Sequence, residues 1–299
     1  LMPHVSDLWL AWGMAFGGGL GARAMHWGIW IACFIAAWAI LDHFVPPERH
    51  RWSLPFLLMA LAGSSTWWFL GTLSFAETGL TFAVLSSIVM LSVCPPTTLA
   101  WIPFGLLLGM AGSVKLSGLS WAAALLIAAI VLRWPWKPLL GASSVLALIM
   151  SPWWTRAYLV TGNPIYPLAY KMFDTPLWND HNQALLNGDL PATVQDLGLW
   201  GALQLPTDLV LHPERHGSAS DVGILPILSV GLVLLLPLIF RRKGDDRGPQ
   251  ISARAAATFI LLSGCAWVAT STTTRFFAPA FVFSTTILTA LSLHTRRTV

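Results

Sequence analysis

Nine runs without an Asp, Glu, Lys or Arg constrain the fold of this chain more than any other feature. Each run is close to the ~20 residues with which an α-helix crosses a bilayer. The runs are 24–41, 52–76, 78–93, 97–114, 116–132, 138–155, 222–240, 255–274 and 276–293. Charged residues make up only 10% of the chain and hydrophobic residues 56%, whereas about a quarter of a soluble domain is charged. We therefore predict an all-α, polytopic transmembrane bundle of about nine spans, forming a single domain over residues 1–299.

The basic residues predict the orientation of this bundle. With the last span ending inside, eleven of the 17 basic residues lie inside, namely Arg49, Arg51, Arg133, Lys137, Arg241, Arg242, Lys243, Arg247, Arg254, Arg296 and Arg297. The positive-inside rule favours this arrangement, with a cytoplasmic carboxyl terminus in a plasma (inner) membrane. The net charge of +4 is then explained by the basic residues of the inside loops, which lie next to anionic membrane lipids. We therefore expect no nucleic-acid partner.

The stretch after the sixth run is the longest polar excursion of the chain. Gly162-Asn163-Pro164 must end the helix, because it combines a residue that tolerates positive φ, a turn former and a ring without an N–H. We expect residues 156–221 to form a loop cap on the outer face. The apolar-rich segment 4–17 is too short to span and predicts a helix lying at the outer interface, ended by Gly17-Gly18-Gly19. The apolar-rich segment within 191–211 also contains Asp196 and Asp208 and predicts another helix at the outer interface.

Metal and disulfide chemistry find little support in the sequence. The three cysteines, Cys33, Cys94 and Cys265, have no CxxC spacing. The segments Asn179-Asp180-His181 and His212 to His216 contain ligand-type residues, but neither has the i, i+4 pairing of a helical zinc motif, and solvated loops often have this composition. We expect no metal site among these residues and no cofactor, while a requirement for a divalent metal stays open.

Three isolated charges lie in the short outer connections. Glu77 is the only acidic residue between Glu48 and Asp174, Lys115 is the only charge between Glu77 and Arg133, and Arg275 opens the last span. Ordinary roles exist for each: a carboxylate at a helix N-terminus, a snorkelling cation and an interfacial anchor. The functional alternative is a cavity in which Glu77 contacts a substrate and the two cations bind a phosphate.

Five segments in order resemble the GT-C superfamily of membrane glycosyltransferases, in particular bacterial relatives of protein O-mannosyltransferases and of the aminoarabinose-lipid A transferase. The segments are PHVSDLWLAWGMAFGGGLGARAMHW, GTLSFAETGLTFA, GLLLGMAGSVKLSGL, SPWWTRAYLVTGNPIYPL and TRFFAP. They are similar to an interfacial helix, a second outer loop with its acidic residue, a Gly-rich segment ending in Lys, an exit into an NP-aromatic-P turn, and a basic-aromatic helix entry.

The resemblance implies hexosyl or pentosyl transfer from a polyprenyl-phosphate sugar to a protein, lipid or glycan acceptor at the outer face. It implies substrate contacts by Lys115, Arg275, Arg156, Asn163 and Tyr166. Glu77, where relatives more often have Asp, would assist catalysis. The main general base of such enzymes belongs to a first outer loop, and we expect that loop and an N-terminal span to precede Leu1.

Two other classes of function stay open. The first is a non-catalytic membrane subunit or degenerate remnant of a glycan-assembly system, which would not need the first outer loop with its general base. A secondary transporter would also carry isolated charges, although these cluster at one face and no inverted repeat is evident.

The basic asymmetry generates a test of topology. Reporter fusions after Phe240 and after Thr298 should report the inside, and a fusion at Gly188 the outside. An inside signal at Gly188 would refute the proposed orientation.

Overall fold

The computed structural model describes residues 5–72, 76–94, 99–173, 175, 178–182, 184, 194–216, 224–239, 253–270 and 274–295. Throughout these ranges the secondary structure is helical and no strand occurs, which confirms the predicted all-α class.

The described part of the chain contains twelve α-helices. They are α1 Val5–Phe44, α2 His50–Ala62, α3 Ser65–Thr72, α4 Ala76–Val93, α5 Trp101–Val114, α6 Gly118–Val131, α7 Trp136–Thr161, α8 Tyr170–Phe173, α9 Val194–Leu211, α10 Ile224–Ile239, α11 Ala253–Thr270 and α12 Ala278–Thr295. Short 3-10 turns lie at Pro47–Arg49, Pro213–His216 and Thr274–Phe277. The described part of each of the nine apolar runs is mostly helical, but the run 52–76 contains two helices, because the chain turns at Gly63 and Ser64.

The glycine triplet interrupts α1 as the sequence predicts. Gly17 has φ −145° and ψ 19°, and Gly18 has φ 57° and ψ −151°, a conformation that residues with a Cβ avoid. The two halves of α1 cross closely, because a Cβ on Gly13 would lie 2.7 Å from the carbonyl oxygen of Gly21. The first half is therefore a separate helical segment.

The core is centred on α4 and α12. α4 packs against α1, α5, α6 and α12, and α12 also packs against α1, α2 and α10. Both helices bury apolar side chains together with hydroxyl groups. Several of these hydroxyls donate to carbonyls one turn earlier, as Ser87 does to Ala83 at 2.8 Å and Thr286 to Val282 at 2.8 Å.

α5 and α7 pack closely through glycine. A Cβ on Gly105 would lie 2.6 Å from the carbonyl oxygen of Ala142, and one on Gly109 would lie 2.7 Å from the Cβ of Ile149. Small residues that let two helix backbones approach in this way are typical of packed membrane helices. The two helices run parallel, since the contacts advance together along both sequences.

The helix directions define two ends of the bundle. The Glu77 end contains Glu77 at the start of α4, Lys115 after α5 and Gly162 after α7. Gly162 has φ 72° and ends α7 at the predicted position. The Asp42 end contains Asp42 on α1 and Arg49, whose guanidinium donates to the carbonyl of Leu293 on α12.

The outer surface of the described helices carries many apolar side chains, among them Ile130, Leu148 and Leu261 with 59%, 70% and 56% exposure. Two helical stretches, Asp7–Phe44 and Ala76–Val93, are long and apolar enough to cross a membrane, with mean hydropathies of 1.8 and 1.6. Five further apolar helices in the described ranges contain 10–17 residues. Length and composition are thus compatible with membrane insertion.

The α5–α7 contact generates a stability test. Gly105→Ala should lower the free energy of unfolding by about 1–3 kcal/mol, because the added methyl group meets the α7 backbone. The matched control is Gly28→Ala on α1, where no atom lies within 4 Å of the added Cβ. Thermal unfolding in detergent should show a lower midpoint for the first variant only, and equal midpoints would contradict close packing.

Candidate functional site

Glu77 begins the candidate site, in the first turn of α4. Its position at a helix N-terminus favours a carboxylate, because the unpaired N–H groups there carry partial positive charge. Only 3% of the residue is exposed. A buried carboxylate needs a charged or hydrogen-bonding partner, since its desolvation is otherwise too costly.

Lys115 provides that partner. α5 ends at Val114, and Lys115 adopts an extended conformation with φ −156° and ψ 141°, which turns the chain towards α6. The Lys115 Nζ lies 2.8 Å from the Glu77 Oε1. The absence of a side chain at Gly79 lets α4 approach α5, because a Cβ there would already touch Val114 at 3.4 Å.

Phe276 adds a third chain segment to the pair. The Lys115 Nζ lies 3.3 Å from the centroid of the Phe276 ring, a cation–π contact. Phe276 follows Arg275 in the 3-10 turn that leads into α12. The next ring, Phe277, stacks on Trp267 of α11 with centroids 4.8 Å apart, which holds the turn against the bundle.

Backbone carbonyls near the end of α3 are held by rings on α1. The His26 Nε2 lies 2.7 Å from the Leu70 oxygen, so this nitrogen carries the proton that is donated. Trp27 donates to the Gly71 oxygen at 3.1 Å, and Trp30 donates to the Trp67 oxygen at 3.2 Å. These three bonds hold α3 against α1, and two of them reach carbonyls in the last turn of α3.

The turn after Lys115 holds a buried hydroxyl. The Oγ of Ser117 is shielded from solvent and finds no hydrogen-bond partner in the described part of the chain. The following residue, Gly118, donates its N–H to the Lys115 oxygen at 2.8 Å, so the turn is tight. Ser117 therefore offers an unused hydrogen-bonding group two residues from the ammonium.

The two charges of the pair differ in accessibility. The Lys115 side chain is 26% exposed and the Glu77 side chain only 4%. An incoming anionic ligand would therefore meet the ammonium first, with the carboxylate behind it. This arrangement suits recognition of an anion, because Glu77 orients Lys115 from the buried side and leaves part of the ammonium exposed.

The remaining residues predicted to contact substrate are placed less centrally. Arg156 is exposed on α7, and the side chain of Arg275 lies outside the described part of the structure. Asn163 is fully buried and bonds within its own loop: its amide donates to the Leu168 oxygen at 2.7 Å, and its side-chain oxygen accepts from the Ile165 N–H at 2.9 Å. Tyr166 packs edge-on against Trp178, with centroids 5.9 Å apart.

The structure thus brings Glu77 and Lys115 together and places Phe276, which follows Arg275, against Lys115. The two side-chain bonds of Asn163 lie within its own loop and the Tyr166 ring packs on Trp178, so these contacts do not involve the pair. Sequence reasoning missed Phe276 as the ring beneath Lys115 and His26 as a bond to the α3 end. Both residues lie in the family-like segments, but their partners are distant in sequence.

The excursion is tied by polar contacts of its own. Asp208 on α9 accepts from Arg215 at 3.1 Å and from the ring of His216 at 2.8 Å, which explains two of the residues with metal-ligand character. Asp180 accepts from Tyr170 at 2.5 Å, and Lys171 lies 2.9 Å away. The hydrogen bond from Tyr170, followed by the bond and charge of Lys171, lowers the pKa of the Asp180 carboxyl.

Among the residues that the structure describes, no group of three or more His, Cys, Asp or Glu is arranged to hold a metal ion. The site is therefore defined as an ion pair with an aromatic wall at one end of a helical bundle. Comparison with protein-family models, characterised proteins and solved structures finds no match for the chain.

The ion pair generates a double-mutant test. Lys115→Met should cost about 1–3 kcal/mol of stability, because it leaves the buried Glu77 carboxylate without its ammonium partner. Glu77→Gln should cost less, since the partly exposed ammonium keeps water and Phe276 as neighbours. The double variant should regain part of the loss, and unfolding in detergent measures all three. Strictly additive costs would show that the two side chains are not coupled.

Proposed function

We propose that this chain belongs to a polytopic membrane glycosyltransferase of the GT-C type. It transfers a sugar from a polyprenyl-phosphate donor to an acceptor at the outer face of the plasma (inner) membrane. In this proposal nine helical passes cross the membrane, the Glu77 end faces outward with the excursion 156–221, and the carboxyl terminus is cytoplasmic.

The observation that carries the proposal is the meeting of distant family-like segments at one end of the bundle. Glu77, Lys115 and Phe276 come from three of these segments and are in direct contact. His26 and Trp27, from the first segment, bond to the end of α3 immediately before Glu77. Met150, directly before the fourth segment, accepts from Ser113 at 3.3 Å, two residues before Lys115.

The chemistry of sugar transfer fits the charges at this end. The acceptor hydroxyl attacks the anomeric carbon, the bond from that carbon to the phosphate oxygen breaks, and the phosphate leaves with the bonding electrons. A carboxylate takes the hydroxyl proton, and cations stabilise the charge on the departing phosphate. Lys115 and Arg275 are proposed to hold the phosphate, and Glu77 to position Lys115 and assist in the sugar or acceptor pocket.

The membrane placement has its own support. The nine apolar runs fall on nine helical passes when α2 and α3 count as one, and the exposed apolar side chains lie where lipid would contact them. The family-like segments then share one membrane face. A lipid-linked donor would reach the site from the bilayer, with its phosphate at the level of Lys115.

One observation favours a second candidate, a non-catalytic membrane subunit. The Glu77 carboxylate is buried and already paired with the Lys115 ammonium, so it is not exposed to an acceptor hydroxyl in this arrangement. Such a subunit would bind the lipid-linked donor through the same cations without transferring the sugar. Donor binding without transfer is the result that distinguishes it.

The proposal is tested by following label from a radiolabelled polyprenyl-phosphate sugar in membranes carrying the protein. Arg275→Ala should lower transfer or donor binding by roughly 10- to 100-fold, the effect of losing a charge-assisted hydrogen bond. Arg275→Lys should recover part of it, because an ammonium cannot form the bidentate contact. Lys115→Ala and Glu77→Gln should also reduce transfer.

The matched control is Lys171→Ala, which removes an exposed cation of the excursion that pairs with Asp180. This variant should transfer at the rate of the unmodified protein. Unchanged transfer in Arg275→Ala, Lys115→Ala and Glu77→Gln together would refute the proposed site.

A further inference from the structure

A groove lies between α5 and α7, in the half of the bundle that includes the Asp42 end. It has a volume of about 550 Å³ and is lined by Trp101, Trp136, Lys137, Leu140, Gly141, Ser144, Val145 and Leu148. The lining contains one charged residue, Lys137, and is otherwise mostly apolar. Trp101 reaches the groove because Gly141 has no side chain: a Cβ there would lie 2.8 Å from the Trp101 ring.

The groove has a polar mouth and an apolar body. Lys137 is exposed at the start of α7 and lies 5.7 Å from the centroid of the Trp136 ring. From Lys137 to Leu148 the lining follows α7 for roughly 16 Å, at about 1.5 Å per residue. That length matches about half of the ~30 Å hydrocarbon layer, which is the thickness of one leaflet.

We propose that this groove binds one anionic phospholipid. Its headgroup phosphate pairs with Lys137, Trp136 lies at the headgroup level, and one acyl chain follows α7 between Leu140 and Leu148. Charge complementarity selects the headgroup, because the lining offers a cation and no carboxylate. The leaflet is the cytoplasmic one, whose anionic surface attracts basic side chains next to membrane helices.

This site is separate from the donor site proposed above. It lies at the Asp42 end, whereas Glu77 and Lys115 lie at the other end of the bundle. The proposal depends on membrane insertion of the bundle and is independent of sugar transfer. A lipid-binding measurement therefore tests it even when transfer fails.

The test uses the full chain purified in detergent, with binding of dioleoyl phosphatidylglycerol and dioleoyl phosphatidylcholine measured by native mass spectrometry. One phosphatidylglycerol should bind about tenfold more tightly than phosphatidylcholine. Lys137→Ala should abolish this preference. The matched control, Arg254→Ala, removes an exposed cation at the same end outside the groove and should keep the preference.

A second variant probes the apolar body. Ser144→Trp places a large ring in the groove and should weaken binding of both lipids, while the unfolding midpoint without lipid stays unchanged because Ser144 is exposed. Equal binding of the two lipids by the unmodified protein would overturn the proposal and indicate unspecific lipid contact. An equal loss of preference in Lys137→Ala and Arg254→Ala would also overturn it, because the charge effect would not be local.

Discussion

The Glu77–Lys115 pair is the interaction on which the arrangement of the bundle depends. A carboxylate with 3% exposure requires a compensating charge, and Lys115 supplies it from the end of α5. The same ammonium rests on the Phe276 ring, so one cation connects α4, α5 and the entry to α12. The core helices are thus held in register at the Glu77 end by one electrostatic contact.

Several buried hydroxyl groups on α4 are satisfied over short distances. Thr81, Ser87 and Ser92 on α4 each donate to a carbonyl one turn earlier, at 2.7 to 2.8 Å. Such bonds stay within one helix, so they need neither a polar group on a neighbouring helix nor water. This would suit helices surrounded by hydrocarbon. Indole and imidazole N–H groups on α1 serve the same purpose for carbonyls near the end of α3. The backbone around Glu77 is therefore fixed without solvent.

Sequence reasoning could predict the helical class, the glycine break in α1 and the end of α7, because these follow from hydropathy and from backbone preferences that glycine and proline impose. It also selected Glu77 and Lys115 as unusual charges. It could not show that they pair, since 38 residues separate them in sequence. The run 52–76 predicts one span, and the structure divides it into α2 and α3, because hydropathy alone does not detect the turn at Gly63.

The short lengths of α5 and α6 explain why Lys115 would need Glu77 as a partner in a membrane. α5 and α6 each have 14 residues and extend roughly 21 Å, whereas the hydrocarbon layer is ~30 Å thick. Short helices are accommodated by local thinning of the bilayer or by flanking residues that reach outward. Lys115, directly at the end of α5, would then lie below the lipid headgroups, where water is scarce. In the structure a carboxylate and an aromatic face contact the ammonium and would take the place of that water. Under the proposed function, the lipid-linked phosphate would meet the exposed side of the ammonium at this depth.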